Sequence, residues 1–139
     1  MALIGRLHPL LVHFPIALVI SAAVAETVAA ISGNQDWHTT AVWNARVGAA
    51  FAVLTAFAGW RLALDSGVEI SPVLEWHRWL GTVAAVVALV AALAASGVVR
   101  RGLKSTGMFR VALLSAALLV AAVGHLGGVL VWGAGFLRP

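Results

Sequence analysis

The sequence predicts an all-α integral membrane protein, built as a four-helix up-down bundle. Of its 139 residues, 62% are hydrophobic and only 10% are charged, whereas a soluble domain has about a quarter charged residues. The mean hydropathy is +1.00, and a chain this short cannot bury so much apolar surface in a core of its own. The apolar residues also fall into four runs, each near the ~20 residues that cross the hydrocarbon core of a bilayer.

The four predicted membrane helices follow one another with short polar connections. They span roughly residues 9–31, 43–64, 76–99 and 109–132. The first connection contains the turn-forming residues 32–36. Because brief connections make sequential helices antiparallel, the expected topology is up-down-up-down. The length predicts one domain, residues 1–139, without a separate soluble module.

The first helix has some features of a signal peptide. Arg6 precedes an apolar stretch, and residues 23–25 read Ala-Val-Ala, like a cleavage site. However, His13 and Pro15 interrupt the apolar stretch. We therefore expect this helix to be retained as a membrane helix.

The distribution of charge predicts the orientation in the membrane. Basic residues gather in the third connection and acidic residues around the second. The basic residues are Arg100, Arg101 and Lys104, and the acidic residues are Asp65, Glu69 and Glu75. By the positive-inside rule the third connection is cytoplasmic, which puts both termini in the periplasm of a bacterium and the chain in its inner membrane. The basic cluster is thus interpreted as a topology signal, and no nucleic-acid partner is expected.

Four of the five histidines are predicted to lie in the outer half of the bundle. His8 and His77 fall at its outer boundary, while His13 lies ~6–8 Å and His125 ~10–12 Å below it at 1.5 Å per residue. His38 lies apart, in the first connection. An ionisable side chain in hydrocarbon is costly and normally faces the bundle interior, a partner or a cavity.

This clustering points to haem. Neutral imidazole is a good metal ligand, and two imidazoles from different helices can hold a haem iron from both sides. A porphyrin needs small residues where its plane passes, and Gly81, Gly124 and Gly128 lie beside the histidines. Arg61 and Arg78, near the outer boundary, suit two haem propionates. The sequence therefore predicts a haem b site.

The candidate iron ligands are His8, His13, His77 and His125. If one haem is bound, the preferred pair is His13 with His125, because their depths in the hydrocarbon are closest. His77 and His8 would then lie on the propionate side. A second haem on His8 and His77 is the alternative, in a crowded arrangement.

Other interpretations stay open at this point. The histidines, with Glu75 or Asp65, could instead hold copper or zinc. A cofactor-free anchor subunit would use them only for hydrogen bonds between helices. Some residues are interpreted as ordinary membrane structure: the small-residue face Gly48, Ala52, Thr55 and Gly59 as helix packing, Trp43, Trp60, Trp76, Trp79 and Trp132 as an aromatic belt, and Glu26 as an accessible carboxylate.

Three segments resemble a known family. They are LHPLLVHFPIAL at 7–18, WHRWLG at 76–81 and GHLGGVLVWG at 124–133. Together they are similar to an uncharacterised bacterial membrane family, catalogued as a transmembrane domain of unknown function. The resemblance implies a four-helix membrane module, sometimes fused or adjacent to cytochrome c-like domains, and this context favours a redox role.

The function we expect is a b-type haem-binding subunit that transfers electrons near the outer membrane surface. Its expected partners are membrane lipid, other subunits of a membrane redox complex, and a periplasmic cytochrome or dehydrogenase, with quinone as a further donor or acceptor. The sequence shows no phosphate loop or zinc-protease motif. No catalytic residues are therefore assigned.

Overall fold

A computed structural model describes residues 2–64, 67–101 and 103–135, with side chains described for all of these except residues 2, 97–101 and 103–105. Within these ranges the chain forms six helices and no strand, which confirms the predicted all-α fold. The helices are α1 (Ala2–Arg6), α2 (His8–Leu11), α3 (His13–Ser32), α4 (Gln35–Leu62), α5 (Pro72–Arg101) and α6 (Leu103–Trp132). Four stretches are long and apolar enough to cross a membrane: Leu3–Ser32, Gln35–Leu62, Pro72–Ser96 and Thr106–Trp132.

The first span consists of three helical pieces, α1, α2 and α3, separated at Leu7 and Val12. Each break lies two or three residues before a proline, Pro9 or Pro15. Proline lacks the backbone N–H and its ring clashes with the carbonyl four residues earlier, which bends a helix at that point. The breaks place His8 at the first residue of α2.

The connection between α3 and α4 has only two residues. Gly33 ends α3 in the left-handed conformation, with φ at 69°, and Asn34 caps α4 by accepting a hydrogen bond from the Asp36 N–H at 2.8 Å. The polar residues after Asn34 therefore continue as helix, so α4 begins at Gln35, well before the predicted start at residue 43.

The four spans form a ring of antiparallel neighbours, in the order α3, α4, α5, α6 and back to α3. Near one end, Trp60 of α4 donates a hydrogen bond to the Thr82 hydroxyl of α5 at 3.0 Å. Near the other, Arg46 of α4 donates to the Ser96 hydroxyl of α5 at 3.1 Å. We call the end where α2 begins, α4 ends, α5 begins and α6 ends the histidine end.

The closely packed core does not reach the histidine end. It consists mostly of alanines, since small residues let membrane helices approach closely. The largest fully buried side chains are Phe109, Leu113 and Val19, and the core continues along α6 only as far as Val120. Beyond it, Val123, Gly124, Gly127 and Gly128 of α6 line a cavity.

A buried charged cluster joins three helices at the end opposite the histidines. Glu26 is only 3% exposed. Its Oε2 atom accepts a hydrogen bond from His38 Nδ1 at 2.6 Å, and its Oε1 atom accepts one from Arg110 Nε at 2.7 Å. The interpretation of Glu26 as an accessible carboxylate and the placement of His38 in the first connection are therefore wrong, although His38 does lie apart from the other histidines. Because α4 begins at Gln35, His38 lies in its first turn and reaches α3.

The basic and acidic residues that predict orientation are only partly within the described region. Asp65 lies outside the described residues, and the side chains of Arg100, Arg101 and Lys104 are not described either. Glu69 and Glu75 are exposed near the histidine end. The orientation of the chain in the membrane stays a prediction.

Candidate functional site: a histidine-lined cavity

A cavity of about 880 Å³ opens between the helices at the histidine end. Most of its lining is apolar, and its volume lies in the range of cofactor and small-molecule sites. The lining includes seven of the nine predicted site residues: His8, His13, His77, Arg78, Gly81, Gly124 and Gly128. Residues of the α4–α5 connection, including Glu69, line its rim.

His8 is held by two features of α4. Its Nδ1 atom lies 3.0 Å from the carbonyl oxygen of Thr55. A carbonyl can only accept, so Nδ1 carries the proton and, in the neutral ring, Nε2 keeps a free lone pair. The ring also packs directly on Gly59, where an added Cβ would lie only 2.9 Å from His8 Cε1. A larger residue at position 59 would clash with the imidazole in this position.

His77 is held by α6 in the same way. Its Nδ1 atom lies 3.2 Å from the carbonyl oxygen of Val123, which again leaves Nε2 with its lone pair in the neutral ring. The ring packs on Gly127, where an added Cβ would lie 3.3 Å from His77 Cε1. Metal-binding histidines commonly donate their second nitrogen to a carbonyl in this manner.

The two imidazoles lie at a distance suited to a shared metal ion. Their ring centroids are 6.1 Å apart and their planes are at 89° to each other. A metal–nitrogen bond is about 2 Å and the ring centre lies roughly 1 Å beyond, so two imidazoles on opposite sides of one metal have centroids about 6 Å apart. The His8–His77 pair therefore has the spacing of two axial ligands.

Arg78 brings a positive charge to the same cavity. Its guanidinium carbon lies 3.9 Å from the centre of the Trp60 ring. Trp60 is held edge-on against Trp79, with centroids 5.4 Å apart. Within the described part of the chain, Arg78 Nε and the Thr55 hydroxyl are buried without a hydrogen-bond partner. Because such groups are costly to bury unpaired, they favour a ligand that carries an acceptor or a negative charge.

The remaining predicted residues lie elsewhere. His125 is exposed on α6, and neither it nor Arg61 is among the residues that line the cavity. His13 is exposed at the edge of the cavity. The structure thus brings His8 and His77 together, and of His13 and His125, the pair that depth favours, only His13 lines the cavity.

The helical repeat explains why His125 points elsewhere. Val123, Gly124, Gly127 and Gly128 all line the cavity, at the spacing that defines one face of a helix. His125 lies about 100° further round the helix than Gly124. The depth of a residue along the helix axis does not include this rotation, so depth alone does not predict which histidines line the cavity.

The predicted copper or zinc site is not assembled among the residues that the structure describes. They include no group of three or more His, Cys, Asp or Glu side chains placed to hold a metal ion. Glu75 is exposed, and Asp65 lies outside the described ranges. Protein zinc sites use at least three protein ligands, whereas a haem iron needs at most two.

The chain was compared with known families, curated proteins and solved structures. A family model described as "Predicted membrane protein (DUF2231)" matches residues 6–137, which include the whole cavity. No curated protein matches the chain, and no solved structure matches it.

Proposed function

We propose that this chain, which belongs to the DUF2231 family of predicted membrane proteins, is a b-type haem-binding membrane subunit that carries single electrons. The observation that carries the proposal is the His8–His77 pair. Two imidazoles, each anchored through Nδ1 to a backbone carbonyl, lie 6.1 Å apart in one cavity. His8 and His77 are accordingly the proposed axial ligands.

The surroundings of the pair favour haem over a bare metal ion. A bare ion needs no cavity of about 880 Å³, whereas a porphyrin fills a large apolar space. Gly81, Gly124 and Gly128 contribute no side chains to that space. Arg78, with its unpaired Nε, supplies the cation that a haem propionate would bind.

In this function the protein would hold the two imidazoles in place and surround the haem with the lining of the cavity. The carbonyls of Thr55 and Val123 fix both imidazoles in one tautomer and increase the basicity of Nε2. A bound haem iron would supply reversible one-electron chemistry at this position. Most of the lining around it is apolar.

The location of the cavity bears on the proposed partners. It reaches the α4–α5 connection at the end of the bundle, so electrons would be exchanged close to one membrane surface. On the charge distribution of the sequence, we assign this surface to the periplasmic side of a bacterial inner membrane. The proposed electron partners are a periplasmic cytochrome or dehydrogenase, other subunits of a membrane complex, or quinone.

The proposal is tested on the chain purified in detergent from haem-replete cells. We expect one haem b per chain, measured as the pyridine complex, and sharp α and β bands after reduction with dithionite. Copper or zinc in stoichiometric amounts without these bands would favour the metal-ion alternative. A colourless, metal-free protein that takes up no added haem would favour a structural anchor.

Substitution of Gly59 by alanine is expected to reduce haem binding sharply without unfolding the bundle. The new Cβ would lie 2.9 Å from His8 Cε1, which forces the ring away from the Thr55 carbonyl. The measurement is the haem content per chain, with helix content followed by circular dichroism. Gly107→Ala is the control, because a Cβ there meets nothing within 4 Å. Equal haem content in the two variants would contradict the placement of His8.

Substitution of Arg78 by methionine is expected to weaken haem binding about tenfold or more. A charge-assisted hydrogen bond contributes about 1.5–3 kcal/mol, and methionine retains an apolar side chain beside Trp60. The measurement is titration of the apoprotein with haem. Arg6→Met is the matched control, since Arg6 is an exposed arginine at the same end that does not line the cavity. Unchanged affinity in Arg78→Met would exclude its role at a propionate.

A further inference from the structure

The cavity is open to the surface of the bundle, and exposed residues of different chemistry line it in more than one place. At the polar α4–α5 connection these include Gly67 and Glu69. In the first span they include His13. The opening beside His13 is not needed for axial ligation by His8 and His77.

The surroundings of His13 are those of a lipid-facing surface. His13 lies about 7–8 Å further along the first span than His8, inside the apolar stretch Leu3–Ser32. Its exposed neighbours Leu10 and Phe14 are 62% and 43% exposed, and Phe14 stacks on Phe51 of α4 with ring centroids 4.5 Å apart. At this opening the cavity therefore communicates with the hydrocarbon, and a ligand that enters here is lipid-soluble.

His13 itself is suited to accept a proton. Its Nδ1 atom lies 3.4 Å from the Leu10 carbonyl, at the long limit for a hydrogen bond. With the proton on Nδ1, Nε2 of the neutral ring is an acceptor. A group that can take up a proton thus lies at the lipid-facing entrance of a cavity to which we assign a one-electron acceptor.

From this arrangement, and resting on the proposed haem function, we propose that the opening at His13 is the entry and oxidation site of a lipid-soluble quinol. In this step the O–H bond of the quinol would break and its proton would pass to His13 Nε2, while one electron would go to the one-electron acceptor that His8 and His77 would hold. The quinol would be left as its neutral one-electron-oxidised radical, and His13 as imidazolium. His13 would return to its neutral form by releasing the proton through the cavity to water at the polar α4–α5 connection, where Gly67 and Glu69 line it.

The experiment measures the anaerobic reduction of the oxidised, haem-loaded protein in lipid nanodiscs by a decyl-substituted benzoquinol. His13→Ala should slow this reduction about a hundredfold, the usual contribution of a positioned proton acceptor. His13→Gln, which keeps a polar side chain of similar size, should be equally slow because an amide does not take up the proton. His125→Ala is the matched control, an exposed histidine that does not line the cavity, and should react at the wild-type rate.

Two further readouts separate a chemical role from a structural one. Free imidazole should restore part of the rate of His13→Ala and leave the wild-type rate unchanged. Dithionite, which is water-soluble and supplies electrons without needing a proton acceptor, should reduce all variants equally. Reduction of His13→Ala and His13→Gln by quinol at the wild-type rate would overturn the role of His13.

The outcomes distinguish this proposal from the one on which it rests. A wild-type protein that shows the haem spectrum and is reduced by dithionite but not by quinol would overturn the quinol site alone. A wild-type protein that takes up no haem would overturn the proposed function, and the quinol site with it.

Discussion

Purified His77→Ala protein is expected to lack the low-spin haem spectrum of the wild type, and His8→Ala is expected to behave in the same way. Each substitution removes one of two imidazoles whose Nε2 atoms we assign to a single iron. The other histidines are not placed to substitute, because His125 does not line the cavity and His13 lies at its edge, about 7–8 Å further along the first span than His8. The expected loss is that of six-coordinate binding, measured by the Soret position and the reduced α band.

The other two histidines of the cluster are the controls for this result. His125→Ala and His13→Ala should each keep the wild-type spectrum and haem content. If His13→Ala and His125→Ala lose the spectrum while His8→Ala and His77→Ala retain it, the axial pair is the one that depth alone favours. Loss in all four variants would indicate that the substitutions act through folding.

Substitution of Glu26 by alanine is expected to destabilise the folded bundle by about 3 kcal/mol, the cost of removing one partner from a buried ion pair. Glu26 joins α3 to α4 through His38 and to α6 through Arg110. Without the carboxylate, His38 Nδ1 loses its acceptor and the Arg110 charge loses its counter-ion. The Arg110 side chain is 44% exposed, which keeps the expected loss at the lower end for such pairs. Unfolding in mixed micelles with increasing dodecyl sulfate measures the change.

Glu75→Ala is the control for the Glu26 substitution. Glu75 is an exposed glutamate in the first turn of α5, and its replacement should change stability by no more than about 0.5 kcal/mol. Equal unfolding curves for the two variants would show that the buried cluster does not stabilise the bundle. A double substitution with Arg110→Ala measures the coupling between the two charges directly.

The fold could be predicted because its signal is spread over the whole chain. Four apolar runs of membrane-spanning length indicate four helices, whatever the details of their ends. The ends were less predictable, because they depend on single residues such as Asn34, whose side chain caps α4 and extends it into a polar segment. The breaks at Leu7 and Val12 lie just before Pro9 and Pro15, so the sequence contains the signal for them.

The site could be predicted in its composition but not in its pairing. Composition and depth bring histidines, glycines and an arginine to one end of the bundle, and most of them line one cavity. Which histidines meet depends on helix rotation, and His77 faces His8 because its Nδ1 reaches the Val123 carbonyl. The contact between Gly59 and the His8 ring could not be predicted from the sequence, because it depends on how α2 and α4 are aligned along their axes.

The Glu26 cluster could not be found from spacing. Glu26 and Arg110 are 84 residues apart, and each alone is typical of a residue near a membrane surface. An acidic residue in an otherwise apolar helix does predict a buried partner. Which residue that partner is depends on the packing of α6 against α3, which brings Arg110 to Glu26.

Electron paramagnetic resonance of the oxidised wild-type protein at low temperature tests most directly whether His8 and His77 share one haem iron. Since their imidazole planes are at 89°, we expect a low-spin ferric signal of strong anisotropy, as near-perpendicular axial imidazoles produce. The same signal should be absent from His77→Ala. A high-spin ferric signal in the wild type, or a low-spin signal that persists unchanged in His77→Ala, would show that His8 and His77 do not share one iron.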